Sequence, residues 1–262
     1  MIGTVLTIAG SDTIGGAGIQ ADIKSITMNG CYAMSVITAL TVQNTLGVTD
    51  VMDVPPDFLA KQIDAVFTDV VPDAVKIGMV SNTDSIRTIA ERLRFYKPQH
   101  LVIDPVMVST SGHSLLQPDA VKALCSELLP LAAVITPNLP ETAVLSGREV
   151  HSPEEMQQAA QSLAERFGTA VLVKGGHLTG TAADVLFDGA FHQFETERVE
   201  TSNTHGTGCT LSSAIASGLA KGLTLPESIR IAKQYLTDAL KAGFDLGHGN
   251  GPLLHNFRIT EV

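Results

Sequence analysis

The segment VLTIAGSDTIGGAGIQADIKSITMN, residues 5–29, carries the pattern that decides the fold. The apolar run Val5–Ala9 leads into a glycine-rich loop, and the loop leads into a segment with helical periodicity, Ile19–Asn29. A strand, a short loop and a helix in this order form the first half of a βαβ unit. This opening segment therefore predicts an α/β protein.

The same alternation continues along the chain. Repeated strand and helix units predict a mostly parallel sheet that is covered by helices on both faces. The further predicted strands are Met34–Ala39, Ala74–Ile77, Leu101–Ile103, Ala133–Thr136 and Ala170–Val173. The further predicted helices are Pro56–Thr68, Thr83–Tyr96, Pro118–Leu129, Pro153–Phe167, Gly208–Lys221 and Pro226–Ala242.

The stretch Asp184–Val199 has a different pattern. Two short apolar runs flank Asp188-Gly189, a dipeptide typical of a β-hairpin turn. We expect an antiparallel hairpin to end the sheet there. No linker or internal repeat interrupts the chain, so we expect one domain over residues 1–262.

Composition narrows the possible functions. The formal net charge is −10, which disfavours nucleic acid or an anionic membrane as a partner. The three cysteines are too few and too scattered for a disulfide framework or a zinc site. The beginning of the sequence lacks a signal-peptide pattern, and no apolar run is long enough to span a membrane. We therefore expect a cytoplasmic protein.

The motif NTHGTGCT, residues 203–210, leads straight into a helix of small residues. Free N–H groups at a helix N-terminus, approached through Gly206 and Gly208, form a site for a phosphoryl group. A simple capped helix with Thr207 as N-cap is an equally compatible interpretation. Cys209 lies in the first turn, where the helix is expected to lower the pKa of the thiol. It is then a candidate base or nucleophile, or simply a small buried residue.

A second glycine-rich loop, Gly10–Gly18, follows the first strand. It lacks the G-x-G-x-x-G spacing of dinucleotide-binding proteins, which argues against a Rossmann oxidoreductase. It is not a Walker A loop either, because Ile23 precedes Lys24-Ser25 where that motif requires glycine. Asp12 is placed either to bind a substrate hydroxyl or to cap the following helix, and the pattern leaves both open.

Polar residues end three further predicted strands. Asp104 is placed for Mg²⁺-bound phosphate, and the spacing of Asn138 and Glu141 allows both side chains to converge on a hydrated metal ion. Glu141 is equally suited to interact with a helix dipole. Lys174, followed by two glycines, is placed beside a phosphate, with a solvated lysine as the alternative. All these motifs follow strands, so we expect them at one edge of the sheet.

Taken together, these motifs resemble the ribokinase superfamily and, within it, the hydroxymethylpyrimidine/phosphomethylpyrimidine kinases. The similarity spans nearly the whole chain in the order found in that family. The matching segments are TIAGSD (residues 7–12), GGAGIQAD (15–22), TALTVQNT (38–45), KIGM (76–79), DPVM (104–107), TPNLPE (136–141), KGGH (174–177) and NTHGTGCT (203–210).

The resemblance implies a three-layer α/β/α sandwich and an ATP- and Mg²⁺-dependent kinase that phosphorylates a hydroxymethylpyrimidine and then its monophosphate. It further implies a homodimer. Four sets of residues follow from it. The pyrimidine pocket comprises Gly10, Asp12, Ala17, Gln43, Met79 and Val106. The catalytic set comprises Gly206, Thr207, Gly208, Cys209 and Lys174. Asn138, Lys174 and Thr207 would contact ATP, and Asp104 and Glu141 would organise Mg²⁺.

The alternative within the superfamily is a pyridoxal or pyridoxine kinase. Some of these enzymes resemble this chain but carry a second cysteine in the lid after the DPVM segment and lack the QNT triplet. Here Gln43-Asn44-Thr45 is intact and the lid Val108–Gly112 has no cysteine, which favours the pyrimidine. One departure is Ile14, where the family pattern has a small residue. A different class, a non-catalytic vitamin- or nucleotide-binding regulator, is disfavoured because Asp104, Glu141, Lys174 and Cys209 are all present.

Overall fold

The computed structural model describes residues 2–108, 115–117, 119–176, 182–243 and 245–259. Within these residues the strands form a single sheet with the order β3-β2-β1-β4-β5-β6-β7-β8-β9. Their bounds are β1 Thr4–Ser11, β2 Tyr32–Asn44, β3 Gly47–Asp53, β4 Ala74–Ile77, β5 Leu101–Ile103, β6 Val134–Ile135, β7 Ala170–Lys174, β8 Ala182–Phe187 and β9 Phe191–Thr196.

Parallel pairing runs through the middle of the sheet, from β2 through β1, β4, β5 and β6 to β7. The expected hairpin is confirmed, because β8 and β9 pair antiparallel around Asp188-Gly189 and β8 pairs antiparallel with β7. At the opposite end, β3 pairs antiparallel with β2 and was not predicted. It contains two charged residues, Asp50 and Asp53, and none of its residues is buried, so it lacks the apolar run that marks a buried strand.

The helices are α1 Gly18–Met28, α2 Pro56–Phe67, α3 Thr83–Tyr96, α4 Ala120–Ala123, α5 Leu139–Ser146, α6 Pro153–Phe167, α7 Thr207–Ala220 and α8 Leu225–Ala242. Several begin where the sequence offers a capping side chain. Asn82, Ser152 and Thr224 each accept a hydrogen bond from the backbone N–H three residues later. Of the described helices, none is long and apolar enough to cross a membrane.

Two hydrophobic cores lie on opposite faces of the sheet. Alternate strand residues supply them: Leu101 and Ile103 face the core beneath α2–α6, whereas Val102 faces the core beneath α1, α7 and α8. This alternation follows from the two-residue period of a strand. The result is the expected three-layer α/β/α sandwich with a mostly parallel sheet.

One predicted helix needed correction, and one observed helix was not predicted. The predicted helix Pro118–Leu129 is broken, with Pro118 outside the described residues; α4 passes into a π-helical turn, Leu124–Leu128, and a 3₁₀ turn, Leu129–Leu131. Pro130 lacks a backbone N–H and ends regular α-helical bonding there. The short helix α5 was not predicted, because its eight residues contain a proline and show little amphipathic periodicity.

Candidate active site

The motifs singled out from the sequence meet at the carboxyl ends of the parallel strands. Strand β1 has β2 on one side and β4 on the other, so the order of the sheet reverses direction at β1. Crevices at such switch points are where ligands bind in open α/β sheets. Asp12, Met79, Asp104, Asn138 and Lys174 each stand at the end of a strand or within three residues of it.

The first turn of α7 lies over this edge of the sheet. Gly206 is its N-cap, with a φ of 83°, and a Cβ at this position would collide with the carbonyl oxygen of Gly16. Glycine is therefore required there. The interpretation of Thr207 as N-cap is wrong, since Thr207 is the first helical residue and no side chain caps the helix. Among the described residues, the backbone amides of Gly208 and Cys209 have no hydrogen-bond acceptor, so they are available to a ligand.

An ion pair lies next to this turn. Nζ of Lys174 donates a hydrogen bond of 2.7 Å to Oδ1 of Asp104, which also accepts one from the hydroxyl of Thr136. A Cβ placed on Gly208 would lie 3.1 Å from Oδ2 of Asp104 and 3.3 Å from Nζ of Lys174. Burial would lower the pKa of Lys174, but the carboxylates of Asp104 and Glu141 outweigh it and raise that pKa. Lys174 is therefore a fixed cation beside the free amides, not a solvated surface lysine.

Asn138 and Glu141 interact with each other. Oδ1 of Asn138 accepts from the N–H of Glu141, and Oε2 of Glu141 accepts from the N–H of Asn138, forming a capping box at the start of α5. The expected convergence of both side chains on a metal ion is not what this geometry shows. The cap uses the amide oxygen of Asn138 and one oxygen of Glu141, so the helix-terminus interpretation of Glu141 is correct.

Glu141 nevertheless interacts electrostatically with Lys174 and Asp104. It is buried, and burial raises its pKa to about 7, with Asp104 adding to the rise and Lys174 opposing it. The carboxyl of Glu141 thus titrates near neutrality within the field of the Lys174–Asp104 pair.

A metal ion in this site would have few protein ligands. The described residues contain no group of three or more His, Cys, Asp or Glu side chains arranged to hold one. Oδ2 of Asp104, which has no hydrogen-bond donor among the described residues, faces Gly208. One free carboxylate oxygen fits Mg²⁺, which typically keeps several waters and binds through one or two carboxylates plus substrate phosphates.

The pKa of the Cys209 thiol is shifted in the direction opposite to the expectation. Burial raises it to about 11; Lys76 lowers it, whereas Asp22 and Asp104 raise it further. The predicted lowering by the helix N-terminus is therefore wrong for this state, because desolvation outweighs the helix dipole. At neutral pH the thiol is protonated.

Asp12 is held by the protein rather than left free for a ligand. Its carboxylate accepts hydrogen bonds from the N–H groups of Ile14, Gly16 and Ala17. It also lies 2.8 Å from Nε2 of His205. Burial would raise the pKa of Asp12, but the hydrogen bonds from His205 and Ala17 lower it. Asp12 is thus a carboxylate that organises the first glycine loop.

Gln43 lies next to His205. Nε2 of His205 lies 3.2 Å from Nε2 of Gln43, and the hydroxyl of Thr41 lies 3.2 Å from the amide oxygen of Gln43. Because Asp12 is ionised, Nε2 of His205 carries the hydrogen of this bond and donates it to the carboxylate, so that nitrogen has no lone pair to accept from the amide NH2 of Gln43. Asp12 and His205 are therefore hydrogen-bonded beside the loop, and the amide of Gln43 lies next to them without a hydrogen bond to that ring nitrogen.

The remaining predicted pocket residues fall into two places. Gly10 and Met79 are neighbours, since a Cβ on Gly10 would lie 3.0 Å from Sδ of Met79. Ala17 is placed by its bond to Asp12, and Val106 is half-buried two residues after Asp104. The lid prediction falls mostly on residues 109–112, which lie outside the described residues, as does His177 of the KGGH segment.

Two features of the site were missed by sequence reasoning. His205 was quoted within its motif but given no role. Lys76 and Asp22 form a fully buried ion pair behind the site, with Nζ of Lys76 2.8 Å from each carboxylate oxygen. A signal for Lys76 was available, since a lysine in the short apolar strand AVKI is unusual.

The chain is similar to known proteins over nearly its whole length. The family described as phosphomethylpyrimidine kinase matches residues 12–254. A hydroxymethylpyrimidine/phosphomethylpyrimidine kinase of Rhizobium meliloti is 52% identical, covering 98% of each chain. The thiamine biosynthesis bifunctional protein ThiED of Geobacter sulfurreducens is 49% identical over 99% of this chain. This chain spans only 54% of that relative.

Among solved structures, an ADP complex of Bacillus subtilis pyridoxal kinase is similar, with a TM-score of 0.92, 36% identity and complete coverage of both chains. The same fold therefore serves kinases of two different vitamin precursors. The family match and the 52% identity together assign the chain. It belongs to the phosphomethylpyrimidine kinase family and is an ATP-dependent kinase.

Proposed function

We propose that this chain uses ATP to phosphorylate 4-amino-5-hydroxymethyl-2-methylpyrimidine and then its monophosphate, giving the diphosphate used in thiamine biosynthesis. One observation carries the proposal: the free amides of Gly208 and Cys209 lie against the Lys174–Asp104 ion pair at the switch point of the sheet. This arrangement concentrates positive charge where a phosphoryl group in transfer would develop negative charge. The names of the relatives support the pyrimidine as acceptor.

In the first step the hydroxymethyl oxygen attacks the γ-phosphorus of ATP. The bond from that phosphorus to the bridging oxygen breaks, and ADP leaves. The amides of Gly208 and Cys209 and the ammonium of Lys174 would stabilise the charge on the transferring oxygens. Gly206 and Thr207 complete this anion hole, Gly206 by its left-handed backbone and Thr207 as the first helical residue.

The proton of the hydroxymethyl group must leave during this step. Cys209 is the proposed acceptor, and a thiolate that takes this proton becomes the neutral thiol favoured by its surroundings. The second step has a phosphate acceptor that needs little base. There the fixed charges would supply most of the stabilisation.

Mg²⁺ would neutralise the charge of the ATP phosphates when bound. Asp104 offers a carboxylate oxygen facing Gly208, and Glu141, whose pKa is near 7, would hold a metal-bound water. Asn138 and Lys174 are adjacent across a bridge between their backbones, and together with Thr207 they would contact the phosphates of ATP.

The pyrimidine would lie over the first glycine loop. Gln43 offers both a donor and an acceptor for the amino group and ring nitrogen, and Met79 and Val106 supply apolar contact. Gly10 and Ala17 line the loop, whose shape is held by Asp12.

In the cell, we propose a cytoplasmic homodimer of single-domain chains that binds neither nucleic acid nor membranes. Leu40, Val42 and Met52 support a dimer, because these apolar side chains on the β2–β3 hairpin are exposed. Leu40 and Met52 are directly paired across the two strands, which makes one continuous apolar patch. The mass of the purified protein in solution tests this proposal, and a monomer at micromolar concentration would contradict it.

The activity is tested by release of ADP from purified protein with Mg²⁺ and ATP. The acceptors are hydroxymethylpyrimidine, its monophosphate, pyridoxal and pyridoxine, assayed side by side. We expect the highest kcat/KM with the two pyrimidines. If no ADP is formed with any of the four acceptors, the result would instead support a non-catalytic binding protein.

A pyridoxal kinase is the second candidate, because the Bacillus subtilis pyridoxal kinase matches the whole fold at 36% identity. The higher identity to the pyrimidine kinase of Rhizobium meliloti favours the pyrimidine. A higher kcat/KM for pyridoxal than for hydroxymethylpyrimidine in the same assay would reverse the assignment.

A further inference from the structure

A buried ion pair lies behind the proposed phosphoryl site and is not used by the mechanism above. Lys76 in β4 and Asp22 in α1 are both 0% exposed, and Nζ of Lys76 lies 2.8 Å from each carboxylate oxygen of Asp22. Burying two charges is costly, and an apolar pair of similar volume often stabilises a fold equally well. The pair therefore calls for an explanation other than stability.

The negative partner is fully occupied. Oδ2 of Asp22 accepts a 2.6 Å hydrogen bond from the hydroxyl of Thr7, and Oδ1 accepts a 2.7 Å bond from the hydroxyl of Ser213. Together with the two contacts to Lys76, these donors hold the carboxylate in one position. The position of the ammonium is fixed in turn.

Ser213 connects the ion pair to α7, because its hydroxyl donates to Asp22. Cys209 and Ser213 are four residues apart in the same helix, so their side chains share one face. Gly78 leaves room next to the ammonium, since a Cβ there would lie 2.6 Å from Nζ of Lys76. A fixed cation is thus packed beneath the turn that carries the thiol.

Four charged side chains act on the thiol of Cys209 from different elements. Lys76 on β4 and Lys174 on β7 favour its ionised form, whereas Asp22 on α1 and Asp104 after β5 oppose it. The N–H of Gly18 also donates a hydrogen bond to the sulfur. Burial raises the pKa of this thiol, and Lys76 opposes that rise, whereas its partner Asp22 adds to it.

We propose that Lys76, held by Asp22, is a positioning residue whose fixed positive charge stabilises the thiolate of Cys209 during phosphoryl transfer. Its importance for catalysis rests on the proposed function. The effect of Lys76 on the thiol is independent of the proposed function, because ionisation of the thiol is measurable without substrate, nucleotide or metal.

The test is the rate at which iodoacetamide alkylates Cys209 between about pH 6 and 10, because only the thiolate reacts. The protein is kept in EDTA, and peptide mass spectrometry separates Cys209 from Cys31 and Cys125. In Lys76→Met the rate should fall at least tenfold at each pH, equivalent to about one pKa unit.

A double variant guards against misfolding, since Lys76→Met alone leaves Asp22 buried without its cation. Asp22→Asn with Lys76→Met removes both charges and keeps an amide for Thr7 and Ser213. Because Lys76 lowers the pKa of the thiol and Asp22 raises it, removing both charges should bring the alkylation rate closer to that of the wild type than in Lys76→Met. Ser213→Ala is the matched control: it removes one hydrogen bond to Asp22 without changing any charge, and it should stay within about twofold of the wild type.

The outcomes separate the two proposals. Alkylation of folded Lys76→Met at the wild-type rate, or an equal fall in Ser213→Ala, would overturn the role of Lys76 while leaving kinase activity untouched. Absence of ADP release with every acceptor would overturn the proposed function while leaving the order of alkylation rates intact. Among active variants, Lys76→Met should reduce the alcohol step at least threefold more than the phosphate step, a split that a purely structural defect would not produce.

Discussion

Nζ of Lys174 donates a hydrogen bond of 2.7 Å to Oδ1 of Asp104, although the two residues are 70 positions apart and lie at the ends of different strands. The pair lies directly against Gly208 in the first turn of α7. Three separate segments thus place a cation, a carboxylate and free backbone amides together.

Replacing the cation should abolish most of the activity. We expect Lys174→Met to lower kcat by about 10²- to 10³-fold, because a fixed charge facing the transferring phosphoryl group is lost. Steady-state ADP release measures this effect. Lys241→Met, which removes an exposed lysine paired with Glu197, is the control and should retain wild-type kcat. A loss of less than threefold in Lys174→Met would remove this lysine from the chemistry.

The space between Gly208 and the ion pair should also be important for kcat. In Gly208→Ala, the new Cβ would press on Asp104 and Lys174, and we expect kcat to fall at least tenfold with little change in Tm. Gly176→Ala is the comparison, because its Cβ would meet nothing within 4 Å. Equal kcat values for the two variants would show that close approach at Gly208 is unimportant.

The two phosphorylation steps should depend differently on Cys209. Cys209→Ala should slow phosphorylation of the alcohol by about 10²-fold or more and that of the monophosphate by less than about threefold, since only the alcohol needs a base. Burial raises the pKa of this thiol to about 11, so the thiolate fraction grows with pH throughout the neutral and mildly alkaline range. The alcohol step of the wild type should therefore accelerate from about pH 7 to 9, and that of Cys209→Ala should not. Equal losses in both steps would show that the thiol is not the base.

Gln43 should affect acceptor binding alone. Gln43→Ala should raise the KM for hydroxymethylpyrimidine about tenfold and leave the KM for ATP unchanged, because about one hydrogen bond to the ring is lost. Gln193→Ala replaces a glutamine on the outer strand β9, far along the sheet from the pocket, and should change neither constant. An unchanged KM for the pyrimidine in Gln43→Ala would remove Gln43 from the pocket.

Acid should destabilise the fold through His255, which lies buried against the hydroxyl of Thr210. Burial, aided by Lys24, lowers its pKa from 6.5 to about 4. Above pH 6.5 the imidazole is neutral in both states. Below it, the unfolded chain binds a proton that the folded chain does not, so stability is lost as pH falls towards about 4.

Urea unfolding at about pH 7.5 and pH 5 measures this loss; the His255 contribution should be about 2 kcal/mol. His255→Gln still offers Thr210 a hydrogen-bonding group but cannot titrate. The decrease in its free energy of unfolding between these pH values should therefore be smaller by that amount. Equal losses in the two proteins would show that another group causes the acid sensitivity.

Much of the fold follows from local patterns. Strands Ala74–Ile77 and Leu101–Ile103 and helices Thr83–Tyr96 and Pro153–Phe167 have the predicted bounds. Apolar periodicity and capping residues act over a few positions, so the sequence alone reveals them. Two elements were missed. The polar strand β3 is defined by its pairing with β2 at the edge of the sheet, and the short helix α5 is stabilised by the capping box at its start.

The amino-acid sequence by itself determined that glycines, Asp104 and Lys174 would follow strands and that a glycine-broken helix N-terminus would join them, because parallel strands end at one edge. Only the tertiary structure decided the state of each group. It paired Asp12 with His205 across 193 positions and Asp22 with Lys76 across 54, and it buried Cys209 enough to raise its pKa to about 11. Protonation depends on which charges and how much water surround a side chain, and residues distant in the sequence supply those surroundings.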